Sequence, residues 1–247
     1  MRPFLTLTRV EMALLAREPA AVFFTLALPL LLLSLQGGDN TADPELGGFG
    51  TIDVMVPGYL LLVMCTSGLM ALPETLASYR ERGFLRRLRV SPLRPWQILG
   101  AHALTHLTMT LVGLVLLVGV GIAAFNLNPP AGFAAAALAL VASAVAVVAI
   151  GFLLGAVLPT ARTTQAVAAM LYFPAIFVSG AVMPREALPD LARRIGDLLP
   201  FSYGVRAVRE AWTHGSVHWA AISVLLGVTV TAVAVGVRTF KWEPRSA

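Results

Sequence analysis

Residues 80–94 read RERGFLRRLRVSPLR, with arginine at six of the positions: Arg80, Arg82, Arg86, Arg87, Arg89 and Arg94. They lie between residues 54–73, VMVPGYLLLVMCTSGLMALP, and residues 101–125, AHALTHLTMTLVGLVLLVGVGIAAF, neither of which holds a carboxylate, lysine or arginine. An arginine at the centre of a bilayer costs about 2.5–3.5 kcal/mol even on the mildest insertion scale, so this segment stays in water. Each flanking run has the ~20 apolar residues that cross a hydrocarbon core of about 30 Å. Lipid requires both to be helices, because every backbone N–H and C=O must find its partner inside the segment. The pattern predicts two crossings joined by a cytosolic loop over residues 74–100.

The whole chain shares this character. It is 57% hydrophobic and 13% charged, with a mean hydropathy of +0.80, which leaves too little polar surface for a soluble globule of 247 residues. One integral membrane domain, 1–247, is expected. The net charge of +5 does not point to a nucleic-acid partner, because the arginines flank spans, where they set orientation. Cys65 is the single cysteine, which excludes an intramolecular disulfide or a thiolate metal cluster and leaves it as a small core residue.

Four more apolar runs fall at 20–35, 133–158, 166–183 and 220–237. The expected fold is therefore all-α and polytopic, with six transmembrane helices. Pro29 predicts a kink in the first span or a start inside the preceding helix, and 133–158 is long enough to tilt. No small-residue cleavage site follows the first span, so no removable signal is expected. Arg2, Arg9 and Arg17, the six arginines above, Arg162, and Arg238, Lys241 and Arg245 fall on one side of this topology, while Asp39, Asp43, Glu45 and Asp53 lie opposite without one Lys or Arg. Both chain ends are then cytosolic. Residues 184–219 mix Arg185, Arg193, Arg194, Arg206 and Arg209 with Glu186, Asp190, Asp197 and Glu210, and an even number of crossings places them outside.

Amphipathic periodicity shapes the rest. Leu188, Leu191, Ile195, Leu198 and Leu199 share one helical face, with Asp190, Arg193, Arg194 and Asp197 on the other, up to Pro200. A second short helix is expected from Ser202 as N-cap, with Val205, Val208 and Trp212 apolar. The pair lies at, or dips into, the outer leaflet. Residues 1–18 alternate Phe4, Leu7, Leu14 and Leu15 with Arg9, Glu11, Arg17 and Glu18 before Pro19, which predicts a cytosolic surface helix.

The sequence offers little chemistry of its own. A phosphate-binding loop needs a lysine after its glycine-rich turn, and the only lysine, Lys241, follows Phe240. His102 with His106, and His214 with His218, are spaced to share a helical face, but zinc needs three or four ligands, more than either pair supplies. Interfacial polar residues are the expected role, and no metal site is expected. The span centres hold no Asp, Glu, Lys or Arg of the kind that relays ions. A chain of this sort that moves a solute takes its energy from a partner and is not itself an enzyme.

Two stretches carry a family resemblance. One is residues 81–100, ERGFLRRLRVSPLRPWQILG, a glycine-led segment running into a Ser-Pro-Leu turn and a new span; the other is Ser179, Gly180, Pro184, Leu188, Pro189, Pro200, Tyr203 and Arg209. Both resemble the membrane subunit of bacterial ABC-2 type exporters, and the likeness covers essentially the whole chain. It departs where the family often has Thr and Glu but this chain has Phe84 and Arg86, and where Asn is replaced by Leu199. Arg86 reverses a charge on the surface that would meet the ATPase.

The resemblance implies a multi-pass protein of the bacterial plasma membrane, assembled as two permease copies with two copies of a separate ABC ATPase. That partner holds ATP and magnesium, and this chain has no cofactor. Drug exporters of the daunorubicin-resistance type are the nearest in character, and glycan or lipid-linked saccharide exporters compete for the cargo. Arg80, Glu81, Arg82, Gly83, Arg86, Arg87, Arg89, Pro92 and Arg94 would then form the coupling segment, and Pro184, Pro189, Pro200, Tyr203 and Arg209 would mark the outer helices. Tyr59, Met64, Met70, Tyr172, Phe173 and Phe177 offer rings and thioethers for an apolar or amphipathic cargo, or else serve as core and lipid-facing residues. Gly151 and Gly155 form a small-xxx-small pair for close helix approach, within one subunit or between two.

Overall fold

Long apolar runs become helices wherever the chain is described. The structure, a computed structural model, describes residues 23, 27–35, 40–82, 95–179 and 188–239. Among the described residues eight helices of eight residues or more follow in order: α1 (Leu28–Leu35), α2 (Thr51–Glu81), α3 (Pro95–Ala124), α4 (Phe133–Val157), α5 (Ala161–Val178), α6 (Asp190–Leu198), α7 (Pro200–Thr213) and α8 (Trp219–Thr239). Among the described residues the only β pairing is an isolated bridge between Asp43 and Phe49. The expected 1–18 helix, the residues Gly83, Arg86, Arg87, Arg89, Pro92, Arg94 and Pro184, and the 240–247 tail lie outside the described residues.

Four of these helices are long and apolar enough to cross a membrane: α2, the Gly100–Ala124 portion of α3, α4 and α8. The chain is membrane-embedded. α5 is apolar in its second half but opens with Arg162, Thr163, Thr164 and Gln165. α2 is the axis of the bundle, with 89% of its apolar window buried, against 28% in α3 and in α8. The two peripheral helices turn Val115, Leu116, Val230 and Val237 outward, a cost in water that vanishes in hydrocarbon.

α2 passes two prolines without breaking, Pro57 and Pro73. Pro73 has no N–H for the Leu69 carbonyl, and its ring crowds that carbonyl. The helix answers with a π-helical segment, Cys65–Ala71, closed by the Leu72 N–H bonded to Ser67 O, five residues back. Helix therefore continues past Pro73 to Glu81, through part of what the sequence reads as loop.

α7 runs antiparallel along the first half of α4. Gly204 lies against Ser143, Gly132 N–H donates to Ala211 O, and Ala131 N–H donates to Trp212 O. It begins at Pro200, not at Ser202, which is buried inside the helix; proline's fixed φ and missing N–H suit a first helical position. α6 precedes it with Leu191, Ile195 and Leu198 facing away from the protein, Leu198 at 84% exposure. On its polar side Arg193 pairs with Asp190 within the helix (2.7 Å), and Asp197 ties the helix to Arg206 of α7.

Candidate functional site

Arg80 and Glu81, the last two residues of α2, hold opposite helix ends. The C-terminus of α4 leaves carbonyls unpaired and carries the negative end of a helix dipole, while the N-terminus of α5 leaves N–H groups unpaired with the positive end. The Arg80 guanidinium donates to Ala156 O (3.3 Å) and to Leu158 O. Glu81 Oε1 accepts from Ala161 N–H (2.9 Å). One dipeptide thus clips the α4–α5 turn to the end of α2. Arg80, grouped by sequence with exposed arginines, is buried here at 4% exposure, because it serves that turn; Arg82 is exposed. Thr160 and Thr163 complete the start of α5 as a reciprocal capping box.

Halfway along α2, the π segment meets three other helices. Thr66 and Tyr172 of α5 share a hydroxyl hydrogen bond of 3.2 Å. The Ser67 hydroxyl donates to His106 O of α3 (3.2 Å) and lies 3.4 Å from His106 Nδ1. Gly68 touches Val147 and Val148 of α4, and Gly151 sits so close that a Cβ built there would overlap the Gly68 carbonyl oxygen. Gly155 meets Leu76 and Pro73. Both glycines of the small-xxx-small pair therefore serve packing within this subunit.

At the far end of α2, Asp53 is buried at 1% exposure. Its carboxylate accepts from Asn40 Nδ2 (2.9 Å), Asn128 N (3.0 Å), Asn128 Nδ2 (2.8 Å) and Gly50 N (3.4 Å). Asn40 Oδ1 accepts from Ile52 N, and Trp212 Nε1 donates to Asn128 O (3.1 Å). Residues 40–50, the α3–α4 loop and α7 are all drawn to one carboxylate. Asp53→Ala would remove the acceptor shared by these donors; Gly50 N is buried, and leaving a buried polar group unpaired costs about 1–3 kcal/mol, while the exposed Asn128 and the half-buried Asn40 can turn to water. The expected result is a clear drop in the thermal midpoint of the detergent-solubilised protein; Asp43→Ala, at a half-buried position, supplies the comparison.

The remaining sequence candidates scatter. Tyr59 and Met64 are buried in the core with Tyr172, and Met70 is half-buried against it. Phe173 and Phe177, at 56% and 53% exposure, face outward with Met170. A cavity of about 450 Å³ exists elsewhere, bounded by Ile150, Leu171, Pro200, Phe201 and Val228. Pro189 is exposed as the N-cap of α6, Pro200 opens α7, and the Tyr203 ring lies under the Arg206 guanidinium, 5.3 Å from its centroid. Arg209 is half-buried on α7, with its carbonyl accepting from Thr213.

His102 and His106 do share a face of α3, buried, with the His102 ring edge-on to Tyr79 at 5.0 Å. His214 and His218 do not share one: α7 ends at His214, Gly215 turns the chain at φ +71°, and His218 Nδ1 accepts from Ala221 N–H at the start of α8. Among the described residues no three His, Cys, Asp or Glu side chains gather as a metal site. The Asp53 network escaped sequence reading; its only trace was one carboxylate heading an apolar run, and its partners are distant in sequence.

Several known proteins resemble the chain in sequence. The chain is 25% identical over 191 residues to ABC transporter G family member 20 of Dictyostelium discoideum, covering 75% of this chain and 26% of that one. It is 22% identical over 190 residues to the probable multidrug ABC transporter permease YbhR of Escherichia coli K12, covering 76% and 52%. It is 28% identical over 229 residues to the putative transport permease ycf38 of Cyanophora paradoxa, covering 90% and 77%. The chain thus spans about a quarter of the first relative's length and about half of the second's. Residues 2–212 match the ABC-2 type transporter family, and with a buried axial helix ringed by apolar helices over that same stretch, the chain belongs to it.

Proposed function

We propose that this chain is the membrane subunit of an ATP-binding cassette exporter, moving an apolar or amphipathic compound across the bacterial plasma membrane. ATP and magnesium are bound by a separate ATPase subunit, and the chain performs no catalysis itself. Two copies of each subunit form the working unit, with the outward apolar face of α5, Met170, Phe173 and Phe177, as the meeting surface between permeases. Six crossings leave both chain ends cytosolic, so that the Arg80 end of α2 faces the ATPase and the Asp53 end faces out. α6 and α7 enter from outside: Gly204 meets Ser143, ten residues and so ~15 Å along α4 from Phe133.

The observation that carries this reading is the Arg80–Glu81 clip. It binds the base of the six-arginine segment to the α4–α5 turn, so a push on that segment reaches α2, α4 and α5 together. Arginines on a cytosolic loop suit electrostatic docking on an acidic partner surface. The multidrug wording in the name of YbhR agrees with an apolar cargo. The test is reconstitution in vesicles with and without a cassette ATPase. ATP-dependent efflux of a lipophilic dye, absent without the ATPase, is the expected result; uptake by this chain alone on a proton or sodium gradient would make it a secondary carrier.

A further inference from the structure

We propose that Asp53 is a positioning residue for export: through Asn128 and Trp212 it fastens the outer end of α2 to α7, so that a displacement of α2 at its Arg80 end is delivered to α7. The inference rests on the proposed transport function. α2 runs for 31 residues, about 45 Å, with the Arg80–Glu81 clip at one end and Asp53 as its third residue at the other. Both Asp53 oxygens hold Asn128, one accepting from its backbone N–H (3.0 Å) and the other from its side-chain Nδ2 (2.8 Å). A residue gripped at backbone and side chain together cannot turn independently of α2. Its carbonyl in turn accepts from the indole Nε1 of Trp212 (3.1 Å), whose ring is buried in the last turn of α7. Two residues thus bridge the ends of two helices.

The way α7 is held makes this bridge the place where it can be steered. At the Trp212 end, the last-turn carbonyls that a helix leaves unpaired take the N–H groups that precede α4: Trp212 O accepts from Ala131 N–H (2.9 Å) and Ala211 O from Gly132 N–H (3.3 Å). The rest of the helix is seated without such ties. Ser202 near its start and Ser143, which faces Gly204 from α4, are both buried and have no hydrogen-bond partner. The void beside Ser143 and Gly204 is too small to admit a water molecule that could pair the Ser143 hydroxyl. Buried hydroxyls elsewhere are paired: Thr66, Thr105, Thr110 and Thr164 each donate to the carbonyl four residues back. α7 is therefore fixed by hydrogen bonds at Trp212 and only packed toward Pro200, and leaving that seat breaks no bond of Ser143 or Ser202. A shift of α2 reaches the fixed end through Asp53 and turns the rest of the helix about it.

The test follows amide hydrogen exchange of the full chain, reconstituted with a cassette ATPase, in two states: nucleotide-free and trapped with ATP and vanadate. Coupling of this kind is shown by an element whose equilibrium the distant site biases. In the wild type, exchange at the start of α5 and along α7 should both differ between the two states. Trp212→Phe keeps a ring but removes the N–H that reaches Asn128, and Asp53→Asn replaces one acceptor oxygen with a donor. In each, the α5 difference should remain, the α7 difference should vanish, and efflux per ATP hydrolysed should fall about tenfold, the scale of one lost hydrogen bond. Trp219→Phe, at an exposed indole, should match the wild type. Should Asp53→Asn fail to fold, Trp212→Phe decides alone. A merely structural role would raise α7 exchange equally in both states and lower hydrolysis together with efflux; that result would overturn the proposal. So would an α7 difference that survives in Trp212→Phe, carried by direct packing such as Leu61 beside Gly204. Wild-type export with α7 unchanged between the states would sink this inference alone, whereas a wild type without ATP-dependent export would remove the transport reading and this with it.

Discussion

Gly151→Ala is expected to prevent recovery of folded protein, although it adds one methyl to a helix that alanine normally favours. The new Cβ would overlap the Gly68 carbonyl oxygen, a backbone atom that no side-chain rotation can move away. Gly68 is itself pressed by Val147 and Val148 and belongs to the π segment that carries α2 past Pro73. Separating α2 from α4 would therefore break the axial packing, and the cost should exceed the ~1–3 kcal/mol of ordinary overpacking. Against a total stability of about 5–15 kcal/mol that is decisive. Gly119→Ala is the internal comparison: its added Cβ meets nothing within 4 Å, and removing a mid-helix glycine should raise stability by up to about 1 kcal/mol. Monodisperse yield in detergent and the thermal midpoint report both; a Gly151→Ala protein with wild-type behaviour would show that the crossing has slack that the geometry denies.

Why some features could be read in the chain and others not follows from their range. The apolar runs and the arginine segment are local, and helix is the only open form lipid permits, so α2, α3, α4 and α8 fall close to the expected spans. The Gly151 and Gly155 spacing announced a close approach, but whether to α2 or to a second copy depends on rotation of α4, which no local pattern encodes. Arg80 looked like one of six equivalent arginines. Its separate role arises because α4 ends at Val157 and presents bare carbonyls beside it, a tertiary circumstance. The same holds for Asp53, whose donors come from Asn40 and Asn128. Tyr59 and Met64, whose chemistry suits a cargo or a core, are buried within this subunit because α2 is ringed on all sides. Residue type said what they could bind and nothing about which way they face.

On the proposed function, Arg80→Met is expected to abolish coupled transport while assembly with an ATPase subunit persists. The substitution keeps an apolar stem of similar length but leaves Ala156 O and Leu158 O without their charged donor, and such hydrogen bonds contribute about 1.5–3 kcal/mol each. The loss should fall on the α4–α5 turn, with the π segment, ~20 Å away along α2, still holding the bundle through Ser67 and Gly68. Arg80→Lys should rescue only in part, because an ammonium cannot reproduce the guanidinium fork across two carbonyls. Glu81→Gln retains an acceptor for Ala161 N–H and loses only its charge at the α5 N-terminus, about 0.3–1 kcal/mol, so transport should persist. The decisive readout is a split between two measurements on one reconstituted complex: ATP hydrolysis retained and dye efflux lost in Arg80→Met, both retained in Glu81→Gln. A purely structural role for Arg80 would instead lower hydrolysis, efflux and thermal midpoint together, and full efflux in Arg80→Met would show that force reaches α4 and α5 by some route other than this clip.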